Sequence, residues 1–433
     1  MEINKVHFVG IGGIGMSGLA RLYLHQGVSV SGSDAVESEN TKKLVAEGAV
    51  VSYAQTAANI QEPLNDSCAD LVVYTEAMPQ DHPELVAARE AGIRTINYFE
   101  ALGEIANEYY LIAVAGTHGK TTTTAMLIDI LEEASFDPTA IVGSLRTKTG
   151  SNYRAGKSKY FVVEACEYKR DFLTLKPDVL VITNIELDHT DYYKDLADVQ
   201  SAFRELAESV PSDGVIVTLA SDPKIRPILP HVKARVFDYK IEVFRSLALK
   251  QPGLHNRMNA GAARATALVL GADKKIVEEA LENFAGTARR FEYKGDCNGA
   301  HVYDDYAHHP TAIELAIGGA RELYPEKKVV VVFQSHTYSR THELFDDFAH
   351  SLAKADRVLM TPIYAAREEN ESGVSAEKLS EAISEKGTES RFFHTLEAAA
   401  LEIKELVSPD EVVLVMGAGD ITKVATILTE KDV

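Results

Sequence analysis

A loop of glycine, threonine, histidine and lysine offers the clearest chemistry, because it stands between the apolar run Leu111–Ala115 and a helical pattern. Its residues are Gly116, Thr117, His118, Gly119, Lys120, Thr121 and Thr122. In such loops backbone N–H groups bind phosphate oxygens, the lysine reaches the β- and γ-phosphates, and the next hydroxyl binds Mg²⁺. We predict that this loop binds nucleotide phosphates, with Lys120 catalytic and Thr121 a metal ligand. The alternative is an ordinary helix start, since Val114 stands where a phosphate loop has its first glycine.

A second glycine-rich loop lies near the N-terminus, after the apolar run Val6–Val9. It reads Gly10-Ile11-Gly12-Gly13-Ile14-Gly15, and Asp34 follows the next apolar run. Glycines let a diphosphate approach the backbone, and the N-terminus of the following helix attracts its negative charge. Four loop residues are therefore candidate binding residues: Gly12, Gly13, Ile14 and Gly15. Asp34 is placed to bind a ribose, and NAD, a diphosphate-linked sugar nucleotide and a tight turn without ligand are all compatible with the pattern.

Acidic and histidine residues follow two further apolar runs in the middle of the chain. Glu164 ends one run, and His189 follows the run Val179–Thr183. Because the carboxyl ends of parallel strands share one edge of a sheet, both side chains could reach phosphates held at Lys120. Mg²⁺ prefers oxygen ligands, which suits Glu164, whereas His189 fits a metal ligand and a structural residue equally well. Three neighbouring acids are expected to be solvated or to cap helices: Glu167, Glu186 and Asp191.

The last third of the chain places several titratable groups after two apolar runs. They are Asp305, His308, His309, His336 and Arg340. Each histidine alone could be structural, but together at two strand ends these groups predict a site. The imidazoles are candidate bases because their usual pKa lies near neutrality.

Two weaker signals precede this group. His255 and the pair Asn256 and Asn259 open an Ala-rich helical pattern, where an amide could bind adenine or simply cap the helix. Arg290 could reach a γ-phosphate, or it could belong with Arg289 to a surface linker.

Composition and patterning place these motifs in an α/β protein of three domains. The chain has 433 residues, 45% of them hydrophobic and 25% charged, which is typical of globular proteins with two to four domains. Short runs rich in β-branched residues alternate with amphipathic helices, which indicates mostly parallel sheets covered on both faces. We predict a Rossmann-like N-terminal domain over residues 1–105, a central P-loop ATPase-type domain over 106–290 and a Rossmann-like C-terminal domain over 291–433.

Charge and cysteine content exclude several function classes. The formal net charge is −20, which disfavours loose binding to nucleic acid or to an anionic membrane. The three cysteines, Cys68, Cys166 and Cys297, are far apart and suit a reducing compartment. The most apolar early stretch falls short of the ~20 residues that span a membrane, so we expect a cytoplasmic protein. The sequence predicts no oligomeric state.

The order of these motifs resembles that of the Mur ligases. The matching segments are GIGGIGMS, AVAGTHGKTT, EACEY, TNIELDH, HNRMN, RRFE, DDYAHHP, HTYSRT and MGAGD. They extend from Val6 to about Asp420, essentially the whole chain. The resemblance implies an ATP-dependent ligase of peptidoglycan synthesis. Its first domain would bind a UDP-sugar, its second ATP, and its third would help to bind the incoming amino acid and close over the cleft.

The resemblance also implies a reaction and residue roles. The most similar type of member joins L-alanine to UDP-N-acetylmuramate through an acyl phosphate. Phosphates would contact Lys120 and Arg290, and the glycine loop after Val9 would hold the UDP diphosphate rather than NAD. The other implied roles are Thr121, Glu164 and His189 on Mg²⁺, His255, Asn259 and Asp305 near ATP, and His308, His336 and Arg340 lining the acceptor region. The alternatives are a ligase that recycles preformed murein peptides, a nucleotide-sugar sensor without turnover, and a NAD dehydrogenase.

Three departures from the family pattern bear on these roles. Several Mur ligases carry a carbamylated lysine near a metal, and the family spacing counted from His189 puts Phe203 at that position. Ser335 and Thr337 differ from the residues usual in their motif, which bears on acceptor selection. The stretch from Val217 to Leu254 is short for the family, so peripheral strands of the central domain are expected to be missing.

Overall fold

The computed structural model describes residues 3–61, 69–239, 248–366 and 368–430, and it contains three sheets. The strands of the first sheet are β1 (Lys5–Val9), β2 (Ser29–Ser33), β3 (Val50–Ser52), β4 (Leu71–Tyr74) and β5 (Arg94–Asn97). Its helices are α1 (Ile14–His25), α2 (Glu39–Ala46), α3 (Ala58–Gln61), α4 (Pro83–Glu90) and α5 (Tyr98–Ala106). All strands are parallel, in the order β3-β2-β1-β4-β5. The loop after β1 therefore lies where the strand order reverses, the usual ligand position in such sheets.

The second sheet has seven strands. They are β6 (Tyr110–Ala115), β7 (Thr139–Arg146), β8 (Ser151–Arg154), β9 (Tyr160–Ala165), β10 (Val179–Ile182), β11 (Val215–Thr218) and β12 (Arg235–Asp238). The helices of this part of the chain are α6 (Lys120–Glu133), α7 (Leu196–Ser209), α8 (Leu254–Val269) and α9 (Lys274–Asn283), with 3₁₀ helices at Tyr168–Thr174 and Arg226–His231. In the described part of this sheet the order is β12-β11-β10-β6-β9-β7-β8, with β7 and β8 antiparallel and the other neighbouring strands parallel. Central β6 ends directly before the lysine loop.

The third sheet has six strands. They are β13 (Glu292–Cys297), β14 (Ala300–Asp305), β15 (Lys328–Phe333), β16 (Arg357–Met360), β17 (Glu389–Phe392) and β18 (Glu411–Met416). The helices are α10 (Pro310–Leu323), α11 (Tyr338–Glu343), α12 (Phe345–Leu352), α13 (Ala376–Glu385), α14 (Leu396–Leu406) and α15 (Thr422–Thr429). The order is β13-β14-β18-β15-β16-β17, parallel except for β13 with β14. Val331 and Phe333 belong to one buried apolar cluster and Val330 and Val332 to another, as expected for a strand covered on both faces.

The chain divides into two compact units. The first comprises Met1–Ile185, Gln200–Tyr239 and Ala262–Val277, and the second comprises Glu186–Val199, Lys240–Gly261 and Glu278–Val433. The first unit holds two sheets and the second unit holds one, so the predicted α/β fold with three mostly parallel sheets is confirmed. The domain boundaries at residues 105/106 and 290/291 stay predictions.

Three smaller observations concern the same predictions. Among the described helices, none combines the length and apolarity needed to cross a membrane. The described cysteines, Cys166 and Cys297, form no disulfide within the described residues, and Cys68 lies outside them. In the stretch predicted to be short, the described part contributes β12, while residues 240–247 lie outside it.

Candidate active site

The lysine loop in the first unit is held by residues that follow β10. Gly116 has φ +138°, and a Cβ there would lie 1.9 Å from the Thr183 hydroxyl, so only glycine fits. Thr183 and the Asn184 amide both donate hydrogen bonds to the carbonyl of His118, at 2.6 and 2.9 Å. The N–H of His118 donates to Asn184 in return, at 2.9 Å. Helix α6 then begins at Lys120, so its N–H groups and positive end lie at the loop.

Lys120 is paired with a buried acid, Glu167. Its ammonium lies 2.8 Å from the carboxylate of Glu167 and also donates to the carbonyls of Gly116 and Thr117. Burial works against the charged ammonium, but Glu167 outweighs it and raises the pKa of Lys120. Glu167 is 2% exposed, so the expectation that it is solvated is wrong. It does stand at the N-cap position of the 3₁₀ helix Tyr168–Thr174, but its carboxylate pairs with Lys120. A buried ammonium needs a buried counter-charge. The position of Glu167 in the EACEY motif did not show that Glu167 supplies it.

Thr121 and Glu164 meet beside this pair. The Thr121 hydroxyl donates to Glu164 at 3.0 Å, and β9 lies next to β6 with Glu164 opposite Val114. A hydroxyl and a carboxylate are the hard oxygen donors that Mg²⁺ takes, usually with several waters. The two residues therefore fit the predicted metal.

The predicted metal ligand His189 belongs to the second unit, where it follows a buried acid. Arg340 donates to Asp188 at 3.0 Å, and Asp188 is 7% exposed. Burial alone would raise the pKa of Asp188, but Arg340 and neighbouring histidines hold it far below its usual value. Asp188 stands in the quoted TNIELDH segment, yet nothing in the sequence joined it to Arg340, 152 residues away. The metal role of His189 stays a prediction.

His336 and His308 lie near Arg340, with their rings 6.2 Å apart. Burial, followed by the charge of Arg340, lowers the pKa of His336 to about 4 and that of His308 well below its usual value. Both imidazoles are therefore neutral at pH 7, with pKa values below the usual histidine value on which their candidacy as bases was argued, and that role stays a prediction. Arg340 donates to Nδ1 of His336 at 3.3 Å, whereas Nδ1 of His308 donates to the carbonyl of Tyr306 at 2.9 Å.

Asp305 and Arg290 lie at the end of β14. Asp305 accepts hydrogen bonds from the N–H groups of Phe291 and Ala307, both at 2.7 Å. Burial raises its pKa to about 6 in spite of Arg290. The Arg290 guanidinium stacks 5.0 Å from the ring of Tyr306. Its predicted phosphate contact stays a prediction, as does the place of Asp305 near ATP.

Three other candidates have structural partners. Arg289 donates to the carbonyl of Gly417 and lies 3.5 Å from buried Asp304, so it does not belong to a surface linker. Helix α8 begins at Leu254, so Asn259 lies inside the helix and not at its cap. Asn259 is 6% exposed, and its amide nitrogen donates to the side-chain carbonyl of Asn256 at 3.4 Å. The adenine roles of His255 and Asn259 stay predictions.

His309 caps α10, since its Nδ1 accepts from the N–H of Thr311 at 3.3 Å.

The N-terminal glycine loop is hydrogen-bonded to Asp34, the acid that follows β2. Asp34 accepts a hydrogen bond from the N–H of Gly12 at 2.8 Å, and Asn40 donates to the Gly12 carbonyl at 3.1 Å. Gly13 precedes α1, so Ile14 and Gly15 form the first turn of that helix. The loop thus presents a helix N-terminus, while the binding roles of its residues and of Asp34 stay predictions.

Family models match along the chain. Residues 5–110 match the Mur ligase family catalytic domain, 114–251 the Mur ligase middle domain, and 289–419 the Mur ligase glutamate ligase domain. A protein named UDP-N-acetylmuramate–L-alanine ligase from Clostridium novyi (strain NT) is 41% identical, over 99% of this chain and 97% of that protein.

Solved structures agree with these matches. The UDP-N-acetylmuramate-alanine ligase from Thermotoga maritima superposes with a TM-score of 0.80 and 31% identity, covering 98% of this chain and 97% of that chain. A murein peptide ligase from Psychrobacter arcticus gives a TM-score of 0.73 and 25% identity, with both chains fully covered. With the lysine loop, its acids and the three sheets in place, the chain belongs to the Mur ligase family of ATP-dependent ligases.

Proposed function

We propose that this chain joins L-alanine to the carboxylate of UDP-N-acetylmuramate, using ATP, in peptidoglycan synthesis. One observation carries the proposal: 41% identity, over 99% of the chain, to a relative named for that reaction. The lysine loop supports it, because Lys120 stands at the start of α6 with the oxygen donors of Thr121 and Glu164 beside it. The cytoplasmic location expected from the sequence stays part of this proposal, because the reaction consumes ATP.

The first step activates the sugar. Its lactyl carboxylate attacks the γ-phosphorus of ATP, the bond to the β-phosphate oxygen breaks, and an acyl phosphate and ADP form. Catalysis of such transfers depends on positioning and on neutralising charge, roles that we assign to Lys120 and Arg290. Mg²⁺ held by Thr121, Glu164 and, from the family resemblance, His189 would neutralise further phosphate charge. Asp305 stays assigned near ATP, with Asn259 and His255 at adenine.

The second step forms the amide. The amine of L-alanine attacks the acyl carbon and phosphate leaves, so the alanine ammonium must first lose a proton. We propose that Nε2 of His308 accepts this proton. Nδ1 of that ring already donates to the Tyr306 carbonyl, so in the neutral ring Nε2 is the nitrogen without a proton. His336 is less suitable, since Arg340 donates to its Nδ1. We assign His336 and Arg340 to binding the acceptor, whose carboxylate a guanidinium can pair with.

A ligase that recycles murein peptides is the second candidate, favoured by the likeness to the Psychrobacter arcticus structure. The higher TM-score and identity of the Thermotoga maritima alanine ligase support the first candidate.

Release of ADP separates the candidates. Purified chain is incubated with ATP, Mg²⁺ and UDP-N-acetylmuramate, with L-alanine, L-serine, glycine or a murein tripeptide as acceptor. We expect the fastest ADP release with L-alanine. Release with the tripeptide alone would establish the recycling ligase, and binding of the sugar nucleotide without release for any acceptor would establish a sensor.

A further inference from the structure

In the first unit, the β7–β8 hairpin contacts Glu164, which lies beside the lysine loop, and α1, which follows the N-terminal glycine loop. Strand β7 lies beside β9 in the second sheet, and β8 pairs with β7 at the sheet edge. Both strands also pack against α1, the helix that begins at the N-terminal glycine loop. One short antiparallel pair therefore extends from the ATP sheet to the helix assigned to the UDP diphosphate.

At the ATP side, the backbone of β7 holds the metal-site carboxylate. The N–H of Gly143 donates to Oε1 of Glu164 at 2.5 Å, while Oε2 accepts from Thr121 at 3.0 Å. A Cβ at Gly143 would lie 2.7 Å from Oε2 of Glu164, so a side chain at this position would displace the carboxylate. Any shift of β7 therefore moves the carboxylate that we assign to Mg²⁺.

At the diphosphate side, the contact is Asn152 of β8. Asn152 is fully buried, and its amide nitrogen donates to the carbonyl of Ile14 and to the Ser17 hydroxyl, the latter at 3.1 Å. Its carbonyl accepts from Arg21 at 2.9 Å. A Cβ at Gly18 would lie 3.0 Å from Ile141 of β7, so the helix and strand are in close contact as well. Asn152 thus fixes the first turn of α1.

The turn of the hairpin is fixed to the ATP loop's own helix. Arg146, the last residue of β7, is 3% exposed and pairs with Asp129 and Glu132 of α6, both at 2.5 Å. Helix α6 begins at Lys120, so the hairpin contacts the far end of the helix whose N-terminus forms the phosphate loop. Packed, hydrogen-bonded groups of the hairpin therefore connect Glu164 and α6 with α1.

We infer that the β7–β8 hairpin couples the two nucleotide sites, with Asn152 as the positioning residue that links α1 to it. The inference rests on the proposed function, because it assumes that this unit binds both ATP and the UDP-sugar. Binding of ATP and Mg²⁺ at Glu164 then changes the affinity for UDP-N-acetylmuramate, and by thermodynamic linkage the reverse holds by the same factor.

Calorimetry tests the coupling without turnover. The dissociation constant of UDP-N-acetylmuramate is measured with and without Mg²⁺ and a non-hydrolysable ATP analogue. Wild type is expected to show a ratio of about 5-fold or more, the usual size of such coupling. In Asn152→Ala the ratio should fall to within about 2-fold of unity, below that range. Ser17→Ala, which removes one of the two Asn152 acceptors, should lie between the two.

Tyr153→Phe is the matched control, since it alters the neighbouring residue of β8 and removes a buried hydroxyl that has no hydrogen-bond partner among the described residues. It should keep the wild-type ratio. A general loss of stability leaves both affinities unchanged while the variant stays folded. Where unfolding is populated, the bound ATP analogue favours the folded chain and raises the ratio, so a fall in the ratio isolates the coupling. If Asn152→Ala does not fold, Ser17→Ala decides. A wild-type ratio of one, or a wild-type ratio retained in both variants, would overturn the inference, whereas no binding of the UDP-sugar would instead refute the proposed function.

Discussion

Lys120 depends on Glu167, because a buried ammonium without a counter-charge would lose its proton readily. Activity that requires this ammonium is lost as the pH rises through the pKa of Lys120, which Glu167 raises. In Glu167→Gln that pKa falls, so the alkaline limb of kcat/KM for ATP should move to lower pH by about 1–3 units. The pH dependence of kcat/KM reports the free enzyme, the state in which the pair is seen.

One variant controls this experiment, and a second tests the assignment of ATP and the UDP diphosphate to different loops. Glu205→Gln changes an acid that is 62% exposed and pairs with Arg170, so its profile should match wild type. Lys120→Ala should abolish turnover while calorimetry finds nearly unchanged affinity for UDP-N-acetylmuramate, because the diphosphate is assigned to the other loop. An alkaline limb unmoved in Glu167→Gln would show that the pair does not set the ionisation of Lys120.

His336 links stability to pH. Its pKa is about 4 in the folded chain, below the usual 6.5. Between these values the unfolded chain binds a proton that the folded chain does not, so stability is present above pH 6.5 and falls as the pH drops towards 4. We expect His336→Gln to lose less melting temperature than wild type between pH 7 and 5. Equal losses in the two proteins would contradict the lowered pKa.

The residues that sequence reasoning missed share one physical property. Glu167 and Asp188 are buried acids whose meaning depends on a cation distant in the chain, Lys120 and Arg340. Neither burial nor such pairing follows from local spacing. The lysine loop could be predicted because its chemistry is local: glycine, lysine and threonine act together within one turn of chain.

At the scale of elements, the central strands were predictable and the edge strands were not. The buried runs that became β1, β6, β10 and β15 are continuous and apolar. Edge strands such as β12 and β17 alternate between exposed and partly buried residues, and β8 carries Asn152 inside, so their sequences do not stand out as apolar runs. The coupling hairpin therefore emerged only from the structure.

Helix α7 carries the prediction about carbamylation. Phe203 is fully buried and packs edge-to-face on Phe172, with ring centroids 5.2 Å apart. Phenylalanine has no amine to bind carbon dioxide, so catalysis must proceed without a carbamate at this position. The initial rate of wild type should therefore be the same in carbon-dioxide-depleted buffer with and without bicarbonate. A rate that falls on depletion and recovers with bicarbonate, or a carbamate mass on a lysine, would contradict this.

His189→Ala completes that experiment. If His189 is a metal ligand, its loss weakens Mg²⁺ binding, so raised Mg²⁺ should partly restore the rate and bicarbonate should restore nothing. A rate deficit that is the same at all Mg²⁺ concentrations would exclude His189 as a ligand.

At the scale of the whole molecule, the third sheet has what an independent domain needs. Two buried apolar clusters cover its two faces, and both are drawn from residues 291–428. Sequence patterning predicted three such sheets because each requires its own alternation of strands and helices. The position of a domain boundary is harder to predict, because a side chain just before the first strand of a domain can pack on that domain or on the preceding one.

The boundary predicted at 290/291 can be tested with fragments. A fragment of residues 286–433 keeps Arg289, which lies 3.5 Å from buried Asp304 and donates to the Gly417 carbonyl. In a fragment of residues 291–433, Asp304 and the Gly417 carbonyl lose Arg289, and an unpaired buried polar group costs about 1–3 kcal/mol. We expect the free energy of unfolding in urea to be larger for the longer fragment by that amount. Arg289→Ala in the longer fragment is the matched control and should reproduce the loss, whereas equal stability of the two fragments would place the boundary at 290/291.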